Sequence, residues 1–155
     1  PELARLARGA LASQGGDTLA ALHALCRDLR ADLAFDTEAT HSATTAAEAF
    51  AAGKGVCQDF AHVLLGLCRA VKIPACYVSG YLATESASAT HAWVEVLIPG
   101  IGWRALDPTH NCQPGETYVK IAVGRDYADV APVSGHYVGN TERSLNVSVQ
   151  IRSAE

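Results

Sequence analysis

Residues 53–74 read GKGVCQDFAHVLLGLCRAVKIP, and this stretch decides the fold. Its apolar side chains recur at the three- and four-residue steps of an α-helix until a proline prevents the helix from continuing. The apolar positions are Phe60, Leu64, Leu67, Cys68 and Val71, and the proline is Pro74. The pattern therefore predicts a helix with Cys57 at or just before its N-terminal end.

Two further helices are predicted upstream of this stretch. Residues 18–33 carry leucines at helical spacing behind Asp17, which is a favourable N-cap residue. Thr45 and Glu48 have the spacing of a capping box and open a short helix that stops at Gly53. The N-terminal part of the chain is therefore predicted to be helical.

Downstream of Pro74 the hydrophobic period changes from that of a helix to the two-residue period of strands. Strands are predicted from Cys76 to Leu82, over residues 91–98, over residues 103–107, from Val119 to Val123 and over residues 145–151. The turn at residues 99–102 joins two of them into a hairpin, which brings His91 and Asp107 to the same end. Helices followed by strands favour an α+β fold in which an antiparallel sheet packs against the Cys57 helix.

The composition excludes several classes of protein. The chain has 155 residues, of which 49% are hydrophobic and 18% charged, as expected for one soluble domain spanning 1–155. Its net charge is −4, and its Lys and Arg residues do not cluster, which argues against a nucleic-acid partner. Charges and glycines interrupt every apolar stretch well before membrane-spanning length. We therefore expect neither a nucleic-acid partner nor a membrane span.

The cysteines favour free thiols over a disulfide framework. Their number is odd, and they form neither a CxxC pair nor a zinc-ribbon pattern; they are Cys26, Cys57, Cys68, Cys76 and Cys112. Free thiols are typical of a reducing compartment, so a cytoplasmic location is expected. The chain begins at Pro1 and contains no Met, so we expect a piece of a longer protein with an upstream domain.

Cys57, His91 and Asp107 form a candidate catalytic triad. A cysteine attacks as its thiolate, which a helix N-terminus and a neighbouring imidazolium both stabilise. The position of Cys57 places it at a helix N-terminus, and His91 would supply the imidazolium. Asp107 would accept the far N–H of the His91 ring and fix its tautomer. The backbone N–H of Cys57 is a candidate oxyanion donor, and the sequence does not reveal a second.

Three short blocks in order resemble the transglutaminase-like superfamily of papain-type thiol enzymes. The blocks are Gly55-Val-Cys57-Gln-Asp59-Phe-Ala61, His91-Ala-Trp93-Val-Glu95, and Trp103 followed by Asp107-Pro-Thr109. Tyr77-Val-Ser-Gly80-Tyr81 and Gly124-Arg-Asp126-Tyr-Ala-Asp129-Val130 resemble blocks of its bacterial branch, whose members are often labelled cysteine proteases. The likeness runs from about Thr45 to Val133.

The resemblance implies a papain-like α+β core with Cys57 as nucleophile, His91 as general base and then acid, and Asp107 as the orienting carboxylate. It implies a thioester formed from a glutamine or peptide amide, followed by hydrolysis or acyl transfer. It implies no cofactor and no metal; the calcium dependence of the animal enzymes is not expected, because a Dx[DN]x[DN]G loop is missing from the sequence. Two alternatives remain: a binding or scaffold module that has lost turnover, and an acyltransferase that uses an activated thioester donor.

Other polar residues have simpler interpretations. Asp59 is expected to cap the Cys57 helix. An ion-paired loop brace and a contact with substrate explain Arg125, Asp126 and Asp129 equally well. His110 and Cys112 form an HxC pair next to Asp107, but a fourth metal ligand at suitable spacing is not evident. These residues are therefore left out of the predicted site.

Overall fold

The structure, a computed structural model, describes residues 2–83 and 88–131. The strand predicted over residues 145–151 lies outside the described residues. None of the described helices has both the length and the apolar character needed to cross a bilayer.

Five helices and six strands occur in the described residues. The helices are α1 (Glu2–Ser13), α2 (Thr18–Asp32), α3 (Ala46–Ala52), α4 (Cys57–Ala70) and α5 (Tyr127–Val130). The strands are β1 (Ala34–Phe35), β2 (Lys54–Gly55), β3 (Ala75–Ala83), β4 (Ser88–Ile98), β5 (Gly102–Leu106) and β6 (Tyr118–Gly124). Helices precede the main sheet along the chain, as the α+β prediction requires.

Helix α4 lies at the centre of the core. Its apolar face is fully buried and packs on β3 and β4, with α1, α2 and α3 around it; the buried residues include Phe60, Val63, Leu64, Leu67 and Cys68. The helix begins at Cys57, where the hydrophobic pattern placed its start. The predicted caps of the other helices are also present, because Asp17 accepts the N–H of Ala20 and Thr45 forms a capping box with Glu48.

The main sheet is antiparallel and has the order β5-β4-β3-β6. Its inner strands β3 and β4 therefore have partners on both sides. In the hairpin, Val94 pairs with Leu106 and Ile98 with Gly102, so the segment around His91 and the chain leaving β5 meet at one end of the sheet. Strand β4 begins at Ser88, three residues before its predicted start, because its pairing with β3 continues to Ala83.

Three features of the fold were not predicted. Helix α1 has no strong N-cap residue, although Leu3, Leu6, Ala7 and Ala10 recur at helical spacing and reach the core. The two-residue strands β1 and β2 pair in parallel and are too short to give a periodic signal. The segment of Arg125 and Asp129 after β6 was expected to be a loop, but it contains the single-turn helix α5, capped by the Asp126 carboxylate.

Gly80 occupies a position on β3 that has no room for a side chain. A Cβ atom there would lie 2.2 Å from the carbonyl oxygen of Val119 and 2.6 Å from the ring of Trp93. Because Val119 belongs to the paired strand β6, relief of the clash would disturb the sheet. We expect Gly80→Ala to lower the free energy of unfolding by about 2 kcal/mol or more, measured by urea denaturation.

Gly9→Ala is the matched control for that substitution. Gly9 lies inside α1, and a Cβ atom there would meet nothing within 4 Å. Alanine is favoured over glycine in a helix interior, so this variant should gain roughly 0.5–1 kcal/mol. An unchanged stability of Gly80→Ala would contradict the packing described for β3 and β6.

Candidate active site

Cys57 is the first residue of α4 and is partly exposed. The turn before it is held by Asp59, which is buried and whose carboxylate accepts the N–H of Val56 at 2.8 Å and the hydroxyl of Thr40 at 2.5 Å. Gly55 makes this arrangement possible, because a Cβ atom there would lie 2.5 Å from the same carboxylate. Asp59 thus caps the helix that presents Cys57, as predicted.

His91 lies on the inner strand β4 and is buried. Its Nε2 is 2.7 Å from the carboxylate of Asp107, which follows the last residue of β5. Cys57 is close enough to the His91 ring to contribute to the raised pKa of that imidazole. Because Asp107 takes Nε2, Nδ1 is the nitrogen left to face the thiol. The structure thus brings together all three residues that the sequence predicted for the site.

The pKa of His91 reflects two opposing effects. Burial acts to lower it, but hydrogen bonds and charge interactions with Asp107 and Cys57 outweigh burial and raise the pKa from 6.5 to about 9. The imidazolium form is therefore stabilised near neutral pH. An imidazolium beside a thiol at a helix N-terminus can support a thiolate that attacks an electrophilic carbonyl.

Asp107 accepts hydrogen bonds from both sides of its carboxylate and has no exposed surface. Oδ1 accepts the backbone N–H groups of Thr109 and His110 at 2.8 and 3.2 Å. Oδ2 lies 2.7 Å from His91 Nε2, 2.8 Å from His110 Nδ1 and 2.7 Å from the Tyr118 hydroxyl, which donates to it. Burial acts to raise the pKa of Asp107, but these hydrogen bonds outweigh it and hold the pKa well below its ordinary value.

His110 and Tyr118 were not predicted as site residues. His110 was considered only as half of an HxC pair, and Tyr118 stands one residue before the predicted strand. Both side chains meet at Asp107 because the loop after β5 turns back, with a bridge between Asp107 and Cys112. Trp93 packs against this group: its ring centroid is 6.3 Å from that of His91 and 5.4 Å from that of Tyr118.

A second polar group braces α5 and the end of β6 against α4. Arg125 forms a two-point ion pair with Asp129, at 2.7 and 2.8 Å. The Arg69 guanidinium donates to the backbone carbonyl of Arg125, and His62 accepts the N–H of Tyr127. Of the two interpretations of this block, the ion-paired brace is present in the structure.

The other cysteines differ from Cys57 in their surroundings, and all five are free thiols. Burial raises the pKa of Cys26 and of Cys68 to about 12, and burial also raises the pKa of Cys76. These three thiols are therefore protonated over the physiological range. Cys112 is exposed, and its sulfur is 3.3 Å from the Tyr118 hydroxyl.

Three side chains of the site carry the donor atoms that transition metals prefer. A nitrogen of His91, an oxygen of Asp107 and a nitrogen of His110 all lie within 4.8 Å of one another. Two imidazoles with one carboxylate is a donor set found in zinc sites. The possible metal ligands are therefore His91, Asp107 and His110, and not the pair of His110 and Cys112 considered from the sequence.

The raised pKa of His91 makes a contribution to stability that depends on pH. A group whose pKa is higher in the folded state stabilises that state below the unfolded pKa, and the contribution is lost as pH rises through the folded pKa. We expect the unfolding free energy of wild type to exceed that of His91→Gln by the largest amount at pH 6. This difference should decrease as the pH rises through about 9. Urea denaturation between pH 6 and pH 10, with EDTA present, measures it.

His23→Gln is the control for this titration, because His23 lies on α2 and contacts Gln113 rather than the site. This variant measures the effect of replacing a histidine that lies away from the site. A difference for His91→Gln that stays constant from pH 6 to pH 10 would contradict the assigned ion pair.

Sequence comparison identifies a family model that matches most of the chain. The model described as the transglutaminase-like superfamily matches residues 4–108, which include Cys57, His91 and Asp107. An uncharacterised protein of Mycobacterium tuberculosis is 38% identical over 144 residues, covering 84% of this chain and 46% of its own length. This chain therefore spans about half the length of that relative.

Two further similar proteins are named for an activity. A candidate cysteine protease from Cytophaga hutchinsonii, solved by crystallography, superposes with a TM-score of 0.71 at 34% identity, covering 82% of this chain and 44% of that one. A protein-glutamine gamma-glutamyltransferase from Pseudomonas aeruginosa is 36% identical over 70 residues, covering 39% of this chain and 10% of its own length. The first likeness extends over the fold and the second over a shorter segment.

Proposed function

Because the chain belongs to the transglutaminase-like superfamily, we propose that it is a thiol enzyme in which Cys57 attacks the carbonyl carbon of an amide. His91 acts as general base and then as general acid, and Asp107 orients the His91 ring. The substrate is a glutamine side chain or a peptide bond of a protein or peptide. The acyl group is held as a thioester on Cys57 and then passes to water or to an amine.

The buried hydrogen bond between His91 and Asp107 is the observation that carries this proposal. It turns Nε2 away from the thiol and leaves Nδ1 as the nitrogen that exchanges a proton with Cys57. With the proton on Nδ1, the pair is a thiolate and an imidazolium. A buried, ionised Asp107 stabilises that charged ring.

The reaction has two halves in this proposal. Thiolate Sγ attacks the acyl carbon, and the C–N bond breaks as His91 Nδ1 donates its proton to the leaving nitrogen. Ammonia or an amine departs, and the thioester remains. Neutral His91 then takes a proton from water or from an acceptor amine, which attacks the thioester and releases Cys57. The backbone N–H of Cys57, at the start of α4, is the proposed donor to the oxyanion.

Hydrolysis and acyl transfer share the first half-reaction, and each has a relative that favours it. The protein from Cytophaga hutchinsonii is named as a candidate protease, and the protein from Pseudomonas aeruginosa as a glutamyltransferase. The two activities differ only in which molecule attacks the thioester. We therefore propose the shared thioester chemistry, with both acceptors tested directly.

Incubation of the protein with a glutamine-containing peptide and a primary amine, followed by mass spectrometry, tests the proposal. Deamidation replaces the carboxamide by a carboxylate, transamidation adds the amine with loss of ammonia, and proteolysis divides the peptide. Any of these products should form with wild type and be lost in Cys57→Ala. A product that forms equally with Cys57→Ala would overturn the proposed nucleophile.

The two alternative functions predict different results in the same assay. A scaffold module would leave every amide substrate unchanged and would gain no acyl group on Cys57. An acyltransferase that uses an activated donor would leave glutamine peptides unchanged but would accept an acyl group from a thioester such as acetyl-coenzyme A. Intact-protein mass spectrometry, which detects an acylated Cys57, separates these two cases.

The proposed compartment is the cytoplasm. It rests on the five free cysteines, since exposed thiols such as that of Cys112 persist in a reducing environment. Fractionation of cells that express the natural protein tests the location, and recovery outside the cytoplasm would overturn it.

A further inference from the structure

Two histidines of different exposure converge on one oxygen of Asp107. Oδ2 is 2.7 Å from Nε2 of His91 and 2.8 Å from Nδ1 of His110, and the ring centroids of the histidines are 5.0 Å apart. In a triad of the kind proposed above, the carboxylate needs one histidine partner. The second histidine therefore requires its own explanation.

The geometry of this group is close to that of a three-ligand metal centre. All three donor atoms lie within 4.8 Å of one another, whereas ligands of a tetrahedral zinc ion lie about 2.0–2.2 Å from the metal. Insertion of an ion between the two nitrogens and Oδ2 requires small outward movements of the histidine rings. Asp107 itself is fixed, because the N–H groups of Thr109 and His110 hold its other oxygen.

An ion can reach the group from solvent through His110. The side chain of His110 is 49% exposed, whereas those of His91 and Asp107 are 6% and 0% exposed. A half-exposed outer ligand and two buried inner ligands provide an entry path and a nearly preformed site. The Tyr118 hydroxyl, 2.7 Å from Oδ2, supplies the outer hydrogen bond that orients such a carboxylate.

We propose that His91, Asp107 and His110 form an inhibitory binding site for a divalent transition-metal ion of the zinc class. The ion binds Nε2 of His91, Oδ2 of Asp107 and Nδ1 of His110, and water completes a tetrahedral set. Imidazole nitrogens select a borderline ion such as Zn²⁺ over Ca²⁺ or Mg²⁺, which prefer oxygen ligands. The binding is independent of the reaction, whereas the inhibition rests on the proposed function.

Metal binding changes the hydrogen positions on His91. Each nitrogen that donates to Asp107 must lose its hydrogen to accept the metal, so binding releases protons to solvent. The remaining hydrogen of His91 is then confined to Nδ1, which faces Cys57. A ring with its Nε2 on the metal and its Nδ1 protonated cannot take a further proton, so it no longer acts as a base toward the thiol or toward the second acceptor.

Titration of the purified protein with Co²⁺ and Zn²⁺ tests the site without any assay of activity. Co²⁺ should give the visible absorption of a tetrahedral ion without the near-ultraviolet band of thiolate ligation, and Zn²⁺ should displace it. Cys57→Ala should bind both ions with unchanged affinity. His110→Ala should lose more affinity than the roughly 10- to 100-fold that removal of an outer-shell partner costs.

Several results would overturn the site. Equal affinity of wild type and His110→Ala would place the ion elsewhere. Loss of binding in Cys57→Ala, or a thiolate band, would assign the ion to the Cys57 and His91 pair instead. Loss of binding in Cys112→Ser would replace the proposed ligand set by one that includes that exposed thiol. Calorimetry in buffers of different ionisation enthalpy should detect proton release, and its absence would also contradict the site.

The metal site and the proposed reaction can fail separately. If amide turnover depends on Cys57 but the protein does not bind Co²⁺ or Zn²⁺, only the metal site is wrong. If His110-dependent binding is measured but Cys57 forms no acyl-enzyme, the proposed function is wrong and the binding site stands. Addition of Zn²⁺ to an active preparation should inhibit wild type reversibly, and EDTA should restore the rate.

Discussion

Cys57→Ser is expected to lower the turnover of any amide or thioester substrate by about 10⁴-fold or more. Serine preserves the shape of the side chain and the start of α4, so the fold should be retained. A hydroxyl is far less acidic than a thiol, however, and His91 cannot hold it as an anion. The rate of product formation at saturating substrate, with the far-ultraviolet spectrum as a check on folding, measures the effect.

Alkylation gives a readout of the same prediction that needs no substrate. At pH 6, iodoacetamide should modify Cys57 well before Cys26 and Cys68, whose thiols are buried and have pKa values of about 12. Cys76→Ser, which removes a half-buried thiol from β3, should leave this fast modification in place. Equal labelling rates for Cys57 and Cys112 would count against the activated thiol.

Asp107→Asn should lower kcat/KM by about 10³- to 10⁴-fold with little change in substrate affinity. Five hydrogen-bond donors surround Asp107, and a carboxylate can accept from all of them. If the asparagine oxygen faces the two backbone N–H groups, its NH₂ group faces His91, His110 and Tyr118. His91 must then accept at Nε2 and carry its hydrogen on Nδ1, which is the wrong tautomer for a base toward Cys57.

Asp129→Asn is the matched control for this substitution. Asp129 is a surface carboxylate that pairs with Arg125 and lies outside the site. Loss of an exposed ion pair has a small effect on stability and should change the rate by no more than about twofold. If Asp107→Asn and Asp129→Asn had similar rates, Asp107 would not orient His91.

Much of the fold could be predicted because several segments carry strong local signals. Helix α4 has an apolar face, a proline beyond its end and glycines before its start, so both of its ends were predictable. The hairpin of β4 and β5 has alternating residues on each side of a glycine-rich turn. Helix α5 is a single turn, and one turn is too short for its apolar residues to form a period.

The candidate site was predictable only where its residues lie on regular elements. Cys57 and His91 belong to a helix and a strand, and Asp107 follows a strand whose turn fixes its position. His110 reaches Asp107 because the loop folds back after β5, and Tyr118 does so because β6 pairs with the far side of β3. Loop conformation and pairing between strands distant in the chain leave no local pattern in the sequence.

Cys57 and His91 belong to different layers of the fold, the first to α4 and the second to the sheet on which α4 packs. No covalent connection of short span sets the distance between thiol and ring, so the buried contacts of residues such as Leu64 and Val94 set it. A displacement of about 1 Å in a catalytic group can reduce a rate roughly 100-fold. Core substitutions that leave the protein folded can therefore abolish activity at the proposed site. Selection for the proposed activity would then also constrain the aliphatic side chains of the core.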